Sequence, residues 1–68
     1  MDIVDFHMLI RAENRDEQIT DLENALGGLG SVDLMARRNE HHILRIKAPS
    51  EAFLFLKLKY GNDNVWLR

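Results

Sequence analysis

Two hydrophobic rhythms alternate along this chain. From Ile3 to Arg11, Val4, Phe6, Met8 and Ile10 share one parity, while Asp5, His7, Leu9 and Arg11 share the other. A period of two marks a strand with one buried and one partly exposed face. The rhythm changes after Asn14. Ile19, Leu22, Leu26 and Leu29 fall on one helical stripe with Ala25 beside it, which predicts an amphipathic helix. Asn14 is the expected N-cap, with Glu17 three residues later in an approximate capping box. Asp16 and Glu17 place acids at the positive end of the helix dipole. Gly27, Gly28 and Gly30 are the stop, because glycine accepts the left-handed conformation that ends a helix.

Alternation returns from Ser31 to Arg37, with Val32, Leu34 and Ala36 inward and Asp33, Met35 and Arg37 outward. A third strand runs from His41 to Lys47, with Leu44 and Ile46 inward and Ile43, Arg45 and Lys47 outward. Parity constrains the turn between them. A two-residue Asn39-Glu40 loop sets Leu34 opposite Arg45, an apolar residue against a charge. A three-residue loop at 38–40 pairs Arg37 with His41, Met35 with Ile43 and Asp33 with Arg45, and is the expected register, because a one-residue slip turns every side chain over. The stretch Ala52 to Tyr60 fits two periods, since Phe53, Leu56 and Tyr60 share a helical face while Leu54, Leu56, Leu58 and Tyr60 also alternate. Pro49-Ser50 before it, with Ser50 as N-cap, and Gly61-Asn62 after it are helix punctuation and select the helix. Val65 to Arg68 reads as a short edge strand.

Strand, helix, strand, strand, helix, strand is the split β-α-β order of ferredoxin-like folds. The expectation is one small α+β domain over residues 1–68, a four-stranded antiparallel sheet in the order 4-1-3-2 with both helices on one face. Its expected core is Val4, Phe6, Met8, Ile10, Ile19, Leu22, Leu26, Val32, Leu34, Leu44, Ile46, Phe53 and Leu56. The other face is left open. By parity it carries His7, Leu9 and Arg11 from the first strand and Asp33, Met35 and Arg37 from the second. The third adds His41, Ile43, Arg45 and Lys47, and the last adds Trp66. An apolar centre of Leu9, Met35 and Ile43 within an arginine rim is the composition of an interaction surface. Leu9, Arg11, Met35, Arg37, His41, Ile43, Arg45, Lys47 and Trp66 are therefore the candidate partner-binding residues. The alternative is a bland surface on which arginine stems cover scattered apolar groups.

Composition narrows the function classes. The chain has 68 residues and no cysteine, so neither a disulfide framework nor a Cys-based zinc site supports so small a core. Hydrophobic content of 46% and charged content of 29% suit a folded domain. No apolar run reaches the length of a membrane span, and Met1-Asp2-Ile3-Val4-Asp5 lacks the basic start of a secretion signal. A soluble cytoplasmic protein is expected. The net charge of −2 conceals an asymmetry: residues 1–36 hold eight acids against Arg11 and Arg15, whereas residues 37–68 hold seven bases against Glu40, Glu51 and Asp63. Such a split polarises a surface unless the folded halves interleave and pair their charges.

Catalytic chemistry is hard to place. Gly27-Gly28-Leu29-Gly30 follows a helix, whereas a phosphate-binding loop precedes one. Ser31 and Ser50 sit at element boundaries without a neighbouring base. Acylphosphatases share the topology, but topology alone carries no activity. His41 and His42 are adjacent, so a strand sends them to opposite faces; the expected antiparallel pairing of the first and third strands sets His41 near Arg11, with His7 further along, and no metal site follows. His42 has inward parity at the expected start of its strand. No cofactor is implied. RNA-recognition motifs have the same element order and stack bases on sheet aromatics, yet the third strand here has no Phe or Tyr and no Lys/Arg-Gly-Phe pattern. The expected function is a non-enzymatic protein-binding module acting through the open sheet face: a small adaptor, a regulatory subunit or an inhibitor, virus-encoded inhibitors included. Its partner is another protein or a second copy in a homodimer, a reading that Phe55 and Leu58 support by lying off the core-facing stripe of the second helix. The alternative is a single-stranded nucleic-acid-binding domain that uses the arginine-rimmed face.

Overall fold

The structure is a computed structural model that describes residues 2–67. Strand β1 (Ile3–Arg11) leads through a 3-10 turn at Ala12–Asn14 into helix α1 (Arg15–Leu26). Strands β2 (Ser31–Arg38) and β3 (His41–Pro49) form a hairpin. Helix α2 (Ser50–Tyr60) and a short strand β4 (Val65–Leu67) complete the order. The stretch Ala52 to Tyr60 is thus helical. The four strands form one antiparallel sheet in the order β2-β3-β1-β4.

The core follows from strand parity. Phe6 pairs with Ile46, and Met8 pairs with Leu44 on one side and Val65 on the other. Residues directly opposite in a ladder share a face, and these five are fully buried. Leu22 and Leu26 of α1 and Phe53 and Leu56 of α2 close over them in the same cluster. The Phe6 and Phe53 rings meet at 4.9 Å with a 59° tilt, the offset geometry that aromatic quadrupoles prefer. Ala48 and Val65 join the core beyond the expected set, while Val4, Ile19, Val32 and Leu34 border it half-buried.

Element ends differ in detail from the expectation. Gly27 adopts the left-handed conformation (φ 59°) and its N–H bonds back to Glu23 O and Asn24 O. The helix therefore stops before Leu29, which leaves the stripe and is 61% exposed. Asn14 holds the N-cap position of α1 without a side-chain capping bond. Pro49, not Ser50, is the residue before α2, and Ser50 N–H donates to Asp2 O at 3.0 Å. At the far end of α2, Asn64 Nδ2 donates to Tyr60 O at 2.7 Å and satisfies one of the helix's unpaired carbonyls.

The hairpin departs from the expected three-residue loop. The loop is the two residues Asn39 and Glu40, so Arg38 pairs with His41, Arg37 with His42 and Ala36 with Ile43. A bulge between Leu34 and Ala36 then absorbs Met35, and the ladder resumes with Leu34 opposite Leu44 and Asp33 opposite Arg45. The extra residue restores apolar-to-apolar pairing that an unbulged two-residue hairpin would lose. No non-glycine residue among those described has a positive φ. The turn thus lacks the left-handed pair that best matches hairpin twist, and a bulge raises local twist.

Candidate functional site

The face opposite the helices is assembled by the same register. Leu9 stands opposite Ile43, Arg11 opposite His41, and His7 opposite both Arg45 and Trp66. Leu9, Ile43 and Trp66 are half-buried, and Met35, pushed out by the bulge, is 51% exposed. No helix covers this strip, because the buried clusters of both α1 and α2 lie on the opposite side of the sheet. The Trp66 and His7 rings stand 5.8 Å apart at 39°, which widens the apolar centre toward the β4 edge.

The bulge rearranges the rim. Arg37 pairs with His42, which is buried at 9% exposure on the helix side. Arg37 therefore leaves the open face and Arg38, opposite His41, takes its place. Ala36, expected inward, stands opposite Ile43 on the open side. His42, expected at the start of its strand, is flanked by Ile10 and Arg37 in the ladder.

Arg45 occupies the middle of the face and is already engaged. Its Nε donates to Asp5 Oδ1 at 3.1 Å and its Nη2 to Asp5 Oδ2 at 2.7 Å, a bidentate pair. Hydrogen bonding to Asp5, then the charge of Asp5 and that of Asp33 opposite, hold the guanidinium protonated still more firmly than an ordinary arginine. Asp5 is the residue that sequence reasoning missed. Its parity is outward and its direct partner across the ladder is Lys47, but its carboxylate reaches along the diagonal to Arg45. Arg11, Arg38 and Lys47 remain as rim cations around the neutralised centre. Arg11 reaches Glu13 at 3.6 Å in a solvent-exposed pair. A polar notch of about 460 Å³ opens there between Arg11, Glu13, Glu40 and His41.

A second apolar surface lies on the helix side. Leu54, Phe55 and Leu58 of α2 are 58%, 54% and 88% exposed. A groove of about 310 Å³ beside them runs between the helices, lined by Ala25, Leu26, Ala52 and Phe55. No helix among the described residues is long and apolar enough to cross a membrane. No protein-family model, curated protein or solved structure matches the chain.

Proposed function

We propose that the protein is a binding module and not an enzyme, and that it engages a protein partner through its open sheet face. Read from the β4 edge, the strand order is 4-1-3-2, and we take the architecture as ferredoxin-like on that ground. The observation that carries the functional reading is the strip of Leu9, Ile43, Met35 and Trp66, left uncovered by either helix while its central guanidinium is neutralised by Asp5. An apolar centre with its charges satisfied internally and cations confined to the rim matches the anatomy of protein interfaces. A cytoplasmic adaptor, regulatory subunit or inhibitor is the role this suits.

Binding of single-stranded nucleic acid is the second reading. It is favoured by one feature, the half-buried Trp66–His7 ring pair on the open face with Lys47 on the diagonal across the β1–β3 ladder, since sheet rings can stack bases next to a cation. Against it stands Arg45, whose charge is spent on Asp5.

Titration of labelled single-stranded RNA and DNA at two salt concentrations separates the two. The protein-partner reading expects no affinity tighter than about micromolar at physiological salt. It further expects a partner captured by the wild-type chain to be lost on Ile43→Asp, which would bury a carboxylate in an apolar centre. Tight, salt-dependent oligonucleotide binding overturns it.

A further inference from the structure

Helix α2 is apolar on both sides. Phe53, Leu56 and Tyr60 point to the core at one azimuth, and Glu51, Leu54, Phe55 and Leu58 occupy the opposite one at helical spacing. A helix apolar all round is normally buried all round. Leu54, Phe55 and Leu58 are instead the exposed centre of an outer face that ends in an acid at its first turn, Glu51, and a base at its last, Lys59.

We propose that this face is the seam of a homodimer in which α2 packs antiparallel on α2 of a second copy, about a two-fold axis at Phe55. The occupant is a second copy because the surface is complementary to itself. Glu51 and Lys59 each lie four residues from Phe55, about 6 Å along the axis. Antiparallel pairing therefore sets Glu51 of each copy opposite Lys59 of the other, twice per interface. Phe55 meets its own symmetry mate beside the groove lined by Ala25, Leu26 and Ala52, and Leu54 and Leu58 lose their water on the other flank. The helix dipoles also run antiparallel, with each N-terminus near the other's basic C-terminus. A parallel pairing would instead juxtapose Glu51 with Glu51 and Lys59 with Lys59.

The seam lies on the helix side of the sheet, so both open faces point away from it. A dimer so built presents two copies of the proposed partner surface and binds a bivalent or clustered partner with avidity. One helix pair buries less than the roughly 1,600 Å² of a standard interface, so the association is weak and concentration-dependent.

Sedimentation equilibrium of the whole chain from about 10 µM to about 1 mM tests this, with circular dichroism to verify folding. The wild type should pass from monomer to dimer across that range. Leu58→Lys, at a position too exposed to matter for the core, should raise the dissociation constant at least about tenfold. Glu51→Lys and Lys59→Glu should each be monomeric alone, and an equimolar mixture of the two should recover a heterodimer, because every facing pair is then opposite in sign. A wild type that stays monomeric throughout overturns the proposal, as does a dimer indifferent to Leu58→Lys. Failure of the mixture to associate overturns the antiparallel geometry. Ile43→Asp, on the other side of the sheet, should leave dimerisation unchanged, so loss of sheet-face binding and loss of the dimer are separately visible.

Discussion

Arg45 lays its guanidinium along the carboxylate of Asp5, two hydrogen bonds of 3.1 and 2.7 Å joining residues 40 apart in sequence. The pair crosses the β1–β3 ladder on the diagonal, with both side chains about one-third exposed. Partial exposure limits its worth: Asp5→Asn should leave the midpoint of urea denaturation nearly unchanged. Its effect on the face is larger than its effect on the fold. With the carboxylate replaced by an amide, whose oxygen still accepts one hydrogen bond, the central guanidinium loses its counter-charge and the open face gains one net positive charge. Weak oligonucleotide binding should then increase, and its salt slope should steepen by about one. Unchanged binding in Asp5→Asn would mean that the charge of Arg45 is not what the pair withholds.

Gly30 is needed for space. A Cβ there would run into the carbonyl oxygen of Lys47 and the Cα and Cβ of Ala48, where the start of β2 crosses the end of β3. The obstacle is mainly backbone, which cannot swing away, so Gly30→Ala should destabilise by about 1–3 kcal/mol through overpacking. Gly28 has open space around its missing Cβ but a φ of 81°. Gly28→Ala should cost only the left-handed penalty of about 1–2 kcal/mol. Introducing asparagine separates the two causes, since Gly28→Asn should recover part of its loss and Gly30→Asn none. Thermal denaturation of the four variants is the measurement.

Strand parity, glycine punctuation and the register of β1 on β3 were all legible in the sequence. Each rests on a short-range period or on the antiparallel pairing of the first and third strands, and Arg11 does meet His41. The hairpin was not, because alternation assumes one residue per step, and the bulge at Met35 breaks that assumption inside an otherwise alternating run. One error moved Arg37 off the face and hid Arg38. Asp5 was missed for a different reason: the register sets it directly opposite Lys47, and side-chain reach across the diagonal, which strand pairing does not specify, gives its carboxylate to Arg45. The surplus of apolar residues on α2 was visible from Phe55 and Leu58. Their partner geometry was not, since it depends on which azimuth the sheet consumes.

Phe53 and Leu58 lie five residues apart on α2 and should respond oppositely to truncation. Phe53 is buried against Phe6, so Phe53→Ala should cost about 3–5 kcal/mol, enough to unfold a domain of this size. Leu58 is almost wholly exposed, so Leu58→Ala should leave monomer stability within about 0.5 kcal/mol. Urea denaturation at low protein concentration, below any self-association, compares them directly. Comparable losses at the two positions would place the core on the wrong azimuth of α2.

Met35 offers a sharper test, because the ladder indicates that the fold does not need it. Leu34 pairs with Leu44 and Ala36 with Ile43, two adjacent rungs of β3, so Met35 is the one extra residue between them. Deleting Met35 joins Leu34 to Ala36 and yields an unbulged hairpin with the same Asn39-Glu40 turn and every other pair preserved. A single-residue deletion inside a strand ordinarily turns half of its side chains over and unfolds the sheet. Here the deletion variant should fold with a stability within about 1 kcal/mol of the wild type, altered mainly by the lost twist. Deleting Ile43 instead shifts β3 against both neighbours and should abolish folding. If the open face is the partner surface, the Met35 deletion should keep the native circular dichroism spectrum yet weaken association at least about tenfold, through loss of an exposed apolar contact. Unfolding of the Met35 deletion would show that the bulge supplies curvature that the core requires. Folding with unimpaired association would remove Met35 from the interface.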